Sequence, residues 1–349
     1  MDSPGGEVIT SVAISANGKT VVWVDGGGIV RLWNAQTGEP IGQLLSDSKV
    51  IQAIRFVTIS ADGKTIFSSS DDGTVWRWNA QTRKRTDQSP IASLKGLRLA
   101  AVSADGKTIV SVGGRAVRLW NAQAGEPIGQ PLEGHPDKII PIAISKDGRT
   151  IVGVSVSGEG TVRLRNAQTG EPIGQPLTGH STEITSVAIS ADEKTIVIVS
   201  GEGTVRLWNA QTGKLISQLL EGHSSKVTSV AISADGKTIV SGSGEGTVRL
   251  WNAQTGEPIG QPLTGHSMGI SSTMITSTVI SADGKTIVTG SMPKIAQRAS
   301  IDNPAWRWDV SLEHLLKIAC KQLREHSILT NPTTDVARQA RSTCEKSVW

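Results

Sequence analysis

The stretch "SGEGTVRLWNAQTGE" at 243–257 nearly repeats "SGEGTVRLWNAQTG" at 200–213. Its centre, "TVRLWN", is rich in β-formers, and Gly and Asn punctuate both ends, so it reads as one strand between two turns. Working outward from it, "VTSVAIS" at 227–233 alternates apolar and polar residues, and "TIVSGS" at 238–243 follows a Gly turn. Downstream, "GEPIGQPL" at 256–263 carries two prolines. Proline cannot donate to a ladder, which places that segment on a sheet edge. The unit is therefore four antiparallel strands, the last of them outermost.

Three markers count the units. The turn is "ANGKT" at 16–20, "ADGKT" at 61–65, 104–108, 234–238 and 282–286, "KDGRT" at 146–150 and "ADEKT" at 191–195. Trp33, Trp78, Trp120, Trp208 and Trp251 each precede Asn, while Arg165-Asn166 and Trp308-Asp309 fill the same slot, giving seven in all. Gly-His occurs at His135, His180, His223 and His266. A single four-stranded sheet cannot cover both its faces, whereas seven packed radially can. The expectation is an all-β, seven-bladed β-propeller over 1–310 with a short helical tail over 311–349. In that tail Leu312, Leu315, Leu316, Ala319 and Leu323 share a helical face, and "NPTTD" at 331–335 is a break before a second helix.

Bulk properties narrow the function. The chain has 349 residues and a net charge of +4, and its Lys and Arg recur with the repeat instead of forming one stripe. No specific nucleic-acid partner is expected. The start, "MDSPGGEVITSV", lacks the basic and apolar regions of a secretory signal, and no run of 18 apolar residues suggests a membrane span. Cys320 and Cys344 stand outside the repeats, so no disulfide framework holds them. A cytoplasmic monomer is expected.

Catalytic motifs are weak. The recurring "GKT" lacks the Gly five residues earlier that a phosphate loop needs; Ala13, Thr58, Ala101, Ala231 and Val279 stand there, and a strand follows instead of a helix. No Ser-His-Asp, paired-carboxylate or Cys-His set stands outside the repeat. His314, Cys320, His326 and Cys344 match no common zinc spacing. Neither catalysis, cofactor nor metal is expected.

The Gly-His, the period of about 43 residues and the Trp followed by Asn or Asp resemble the WD-repeat (tryptophan–aspartate) β-propellers over about residues 7–310. The tail resembles the C-terminal extensions of some bacterial WD-repeat proteins. The resemblance implies a polar tetrad tying each blade: the Gly-His histidine, a second-strand Ser or Thr, an Asp in the next turn and the third-strand Trp. Blade six matches best, with His223, Ser241 and Trp251, and Glu245 in the Asp place. The set is eroded elsewhere: Ile198 holds the Ser place beside Trp208, Ser68, Asp72 and Trp78 lack a Gly-His, and Arg165 stands in the Trp place. The resemblance also implies a rigid, non-catalytic scaffold for a protein or peptide partner; the alternative is a sensor or regulatory propeller detached from a larger bacterial signalling protein.

Departures from the repeat locate the candidate surface. The step from Trp251 to Trp308 is 57 residues against 43 for the one before it. Five of the 14 additional residues lie in the loop entering blade seven and nine between its second and third strands. In this type of propeller both loops open on the top face, and long loops in compact domains are commonly functional. The expected partner-binding residues are Met268, Ile270, Met274, Lys294, Ile295, Arg298 and Ile301, with Trp306 as a possible aromatic anchor. "TRKRT" at 82–86 predicts a basic turn and edge strand in blade two.

Overall fold

The computed structural model describes residues 8–43, 54–70, 72–87, 92–93, 97–103, 105–113, 116–132, 139–155, 161–178, 183–217, 222–264, 273–293 and 305–310. These form seven antiparallel sheets, each built from one continuous stretch of chain. Blade one is β1 (Ile9–Ile14), β2 (Thr20–Asp25), β3 (Val30–Asn34) and β4 (Pro40–Gln43). Blade two is β5 (Ile54–Ile59), β6 (Thr65–Ser70), β7 (Thr74–Asn79) and β8 (Ala92–Ser93). Blade three is β9 (Leu97–Val102), β10 (Thr108–Gly113), β11 (Ala116–Asn121) and β12 (Pro127–Leu132). Blade four is β13 (Ile139–Ile144), β14 (Thr150–Ser155), β15 (Thr161–Asn166) and β16 (Pro172–Leu177). Blade five is β17 (Ile184–Ile189), β18 (Thr195–Ser200), β19 (Val205–Asn209) and β20 (Leu215–Ser217). Blade six is β21 (Val227–Ile232), β22 (Thr238–Ser243) and β23 (Val248–Asn252); blade seven is β24 (Thr273–Ile280), β25 (Thr286–Pro293) and β26 (Ala305–Asp309). In blade six the proline-containing edge is reduced to bridges between Val248 and Leu263 and between Trp251 and Pro258.

Two turns recur because local side chains write them. In the first, Ser233 Oγ donates to Asp235 Oδ1 at 2.6 Å, and the same carboxylate oxygen accepts the Lys237 N–H at 3.0 Å. Thr238 N–H returns to Ser233 Oγ at 3.0 Å, and Gly236 takes the left-handed φ of 69° that closes the hairpin. This explains "SADGKT" as a β-turn between the first two strands of a blade. The hydrogen bonds from Ser233 and Lys237 also lower the Asp235 pKa. In the second turn Asn252 Oδ1 accepts the N–H groups of Gln254 (2.8 Å) and Thr255 (3.1 Å), an Asx turn that explains the Asn following the Trp.

Blade two departs at this second turn. Arg83 takes the position that Gly256 holds in blade six, with a φ of 61°. The basic stretch 82–86 is not an edge strand: it makes an isolated bridge from Arg85 to Trp78, and the outer strand is β8. Arg85 instead lays its guanidinium 4.5 Å from the centre of the Trp76 ring.

The core is divided among the blade interfaces. Seven apolar clusters each join two neighbouring sheets, and one of them unites Ile9, Val12, Val21, Trp23 and Trp33 of blade one with Val288 and Ala305 of blade seven. At roughly 25 cal/mol per Å2 of apolar area, this burial dominates the stability of the ring. Side chains on the inner strands add directed bonds across the same interfaces. Thr228 Oγ1 of blade six donates to the Ile275 carbonyl of blade seven at 2.6 Å, while Ser229 Oγ accepts the Thr278 N–H at 2.9 Å. Thr185-Ser186 joins blade five to blade six in the same way, and Thr10-Ser11 joins blade one to blade two.

Candidate functional site

Blade six holds a four-residue polar relay. Trp251 Nε1–H donates to Ser241 Oγ at 2.8 Å, and Ser241 Oγ lies 2.7 Å from His223 Nε2. His223 Nδ1 lies 3.0 Å from Glu245 Oε1. An ionised carboxylate only accepts, so Nδ1 carries the histidine proton, Nε2 accepts, and Ser241 donates to it. Glu245 is further held by Thr247 Oγ1 at 2.6 Å, by the Ser224 N–H at 3.1 Å and by the Ser224 hydroxyl. Burial lowers the His223 pKa against the opposing pull of Glu245, which keeps the ring neutral. Burial alone would raise Glu245, but hydrogen bonds from Ser224, Thr247 and His223 outweigh it and bring its pKa down to about 2.

No other blade repeats the full relay among the described residues. Trp78 donates to Ser68 at 2.8 Å, Trp120 to Ser111 at 2.7 Å and Trp308 to Thr289 at 3.1 Å. Blade one puts Trp23 opposite Arg31, in the hydroxyl's place, and stacks it on Trp33 with ring centres 4.8 Å apart. Blade four has Gly153 opposite Arg163, so it lacks both the hydroxyl and the Trp. The relay therefore ties one blade and has the character of a structural clamp: its acid, base and hydroxyl are occupied by one another.

At the top of blade seven the inner hairpin is longer than in the other blades. β24 and β25 have eight residues each, against six in β21 and β22. The added pairs are Met274 with Met292 and Thr273 with Pro293. This register places Thr273, the first residue of β24, beside Pro293, the last of β25. Thr273 also packs close to Gly246: a Cβ there would lie 2.8 Å from the Thr273 carbonyl oxygen, so the Glu245 turn and the lengthened hairpin adjoin. Met274 and Met292 are half-buried at this rim. Trp306 pairs with Thr289 and stacks on Trp308, ring centres 5.6 Å apart. Met268, Ile270, Lys294, Ile295, Arg298 and Ile301 lie outside the described residues, as do the Gly-His histidines 135, 180 and 266 and the tail. Met292 was missed in the sequence reading; its signal was position, one residue past the Ser291 that matches Ser243.

The arginines of the "VRLW" slot are not equivalent. Arg31 forms an ion pair with the fully buried Asp25, which also accepts the Ile29 N–H at 2.9 Å. Arg163 has no carboxylate partner among the described residues. Arg77 stands one position over, in a slot that is a buried Leu in five blades and the exposed Arg307 in blade seven. It pairs with Asp87 and donates to the Ala122 carbonyl of blade three at 2.8 Å. Among the described residues no cluster of three or more His, Cys, Asp or Glu could hold a metal, and no helix is long and apolar enough to cross a membrane.

Comparison with known proteins adds one match. The family model described as "WD domain, G-beta repeat" (WD40) matches residues 42–79, 170–209 and 213–252. The last two stretches each run from the outer strand of one blade through the three inner strands of the next. No curated protein matches the chain at a significant level.

Proposed function

We propose that this chain, a member of the WD-repeat β-propeller family, is a non-catalytic scaffold whose top-face loops, chiefly those of blade seven, dock a protein or peptide partner. WD-repeat propellers generally serve as protein-interaction platforms, and a rigid ring presenting loops loses little conformational freedom on binding. The observation that supports the blade-seven assignment is the pairing of Thr273 with Pro293. It brings together the flanks of the chain's two expanded loops, with Met274 and Met292 as the adjoining pair. Methionine adapts its shape to a partner surface, and Trp306, on β26 of the same blade, supplies a large aromatic side chain. Met268, Ile270, Lys294, Ile295, Arg298 and Ile301 would complete the contact surface. The reading includes a cytoplasmic monomer with neither nucleic acid nor membrane as its partner.

The test replaces 292–303 with Gly-Glu-Gly, which gives blade seven the spacing of blade six. A partner identified with the intact chain is then titrated against both versions. Loss of binding with an unchanged unfolding transition supports the reading, and equal affinity overturns it.

A further inference from the structure

Replacing the third-strand Trp by Arg165 leaves a cleft between blades three and four. It has a volume of about 270 Å3 and is lined by Ile128, Pro131 and Leu132 of the outer strand of blade three and by Arg165, Ala167 and Gln168 of blade four. At the next interface the corresponding Trp208 packs with Ile173 and Leu177. Here the guanidinium is held at one corner only: Arg165 Nη1 donates to the Gly170 carbonyl at 2.9 Å, which also lines the cleft. Its Nε is buried without an acceptor, and so is the Nε of Arg163, two residues earlier on the same face of β15. Neither arginine has a carboxylate partner among the described residues; burial lowers the Arg165 pKa, and repulsion from Arg163 adds to it. Of the two, only Arg165 lines the cleft; a carboxylate entering there would meet its guanidinium and offset the repulsion between the two partly buried cations.

We propose that this cleft is a binding site for a single carboxylate carried on a short aliphatic group. The Arg165 guanidinium takes the carboxylate, and Ile128, Pro131 and Leu132 take the aliphatic part. The volume admits one small residue-sized group. That group is either a free short-chain acid or the terminal residue of a peptide with an apolar C-terminus. The site lies away from the loops of blade seven and stands whether or not those loops bind a partner.

The test uses the full chain, titrated by calorimetry with isovalerate, with acetyl-Gly-Gly-Val-Leu bearing a free carboxylate, and with the same peptide as its C-terminal amide. Binding of the free acid forms and not of the amide is expected. Arg165→Gln and Arg165→Ala should each weaken it by about tenfold to a hundredfold, the scale of one charge-assisted hydrogen bond. Binding of both isovalerate and the peptide acid assigns the site to free acids; binding of the peptide alone assigns it to chain termini. Circular dichroism identifies a variant that fails to fold, and the other Arg variant then carries the comparison. Equal affinity for acid and amide, unchanged affinity in the folded variants, or no binding of either acid into the millimolar range overturns the proposal.

Discussion

Thr276 of blade seven donates its hydroxyl to the Ile9 carbonyl of blade one at 2.6 Å, the same bond at the same distance that Thr228 gives Ile275 one blade earlier. Ser277 Oγ likewise accepts the Val12 N–H at 3.4 Å, as Ser229 accepts that of Thr278. The ring thus closes with the device that joins its interior blades. Thr276→Val should lower stability by about 1 kcal/mol, the net worth of one buried hydrogen bond. Thr228→Val should cost the same. Urea midpoints of the two variants check this: a neutral Thr276→Val beside a costly Thr228→Val would place closure elsewhere.

The relay of blade six sets an order among its substitutions. Ser241→Ala removes the partner of both Trp251 Nε1 and His223 Nε2, leaving two buried polar atoms unmade, at a cost of about 2–3 kcal/mol. Trp251→Phe removes one donor and leaves Ser241 bonded to His223, which predicts a loss of about 1 kcal/mol from the hydrogen bond plus a small packing change. Denaturant unfolding that ranked the two in the opposite order would show that the indole acts by volume alone.

The same relay predicts acid sensitivity in two stages. His223 is depressed in the folded chain, so below the ordinary histidine pKa of 6.5 the unfolded chain takes up the proton first, and stability falls with pH. Glu245 is depressed from 4.5 to about 2, so its contribution is complete above 4.5 and is lost as pH falls toward 2. Glu245→Gln should flatten the second limb. Unfolding free energies measured from pH 7 to pH 2.5 check this, and parallel curves for the two proteins between pH 4.5 and 2.5 would refute it.

Arg165→Trp fills the cleft between blades three and four. The indole N–H finds no hydroxyl there, because Gly153 stands in the serine's place. Relief of the Arg163 repulsion and added burial should still raise stability by about 0.5–2 kcal/mol, the usual range for filling a void. Leu132 limits the gain, since it already crowds Gly170. Thermal unfolding of the variant gives the answer; a lower midpoint would show a site packed around the guanidinium.

What the sequence made legible follows the range of the interactions. The Ser233–Asp235 and Asn252–Gln254 turns are written within a few residues, so the blade, its strand order and its sevenfold count could be read directly. The relay was visible as a set of residue types through the family resemblance, which implies the places that His223, Ser241, Glu245 and Trp251 fill. The Thr-Ser pairs were equally visible as letters, yet their acceptors lie a whole blade away, and an exact repeat does not say which copy touches which. Arg165 was seen as a missing Trp, but a void is a property of the neighbours: it needed Ile128 and Leu132 in place to become a cleft. The stretch 82–86 was read as a basic turn and edge strand; the turn is there, with Arg83 in it, but the outer strand formed further on, at β8.

The Thr-Ser device has one further consequence. It is present at the interfaces from blade five through six and seven to one and on to two. Arg55-Phe56, Arg98-Leu99 and Ile140-Pro141 stand in its place in blades two, three and four. The hydroxyl lacing of the inner strands therefore covers one arc, while the other has directed bonds of a different kind, Arg77 to the Ala122 carbonyl and Thr150 to Glu193. Elastic deformation of the inner strands should concentrate at the seams around blades three and four, on the far side from the junction of blades seven and one. Fast amide exchange should begin in those inner strands, and a wedge driven into the Arg165 cleft would load a seam that lacks the hydroxyl lacing.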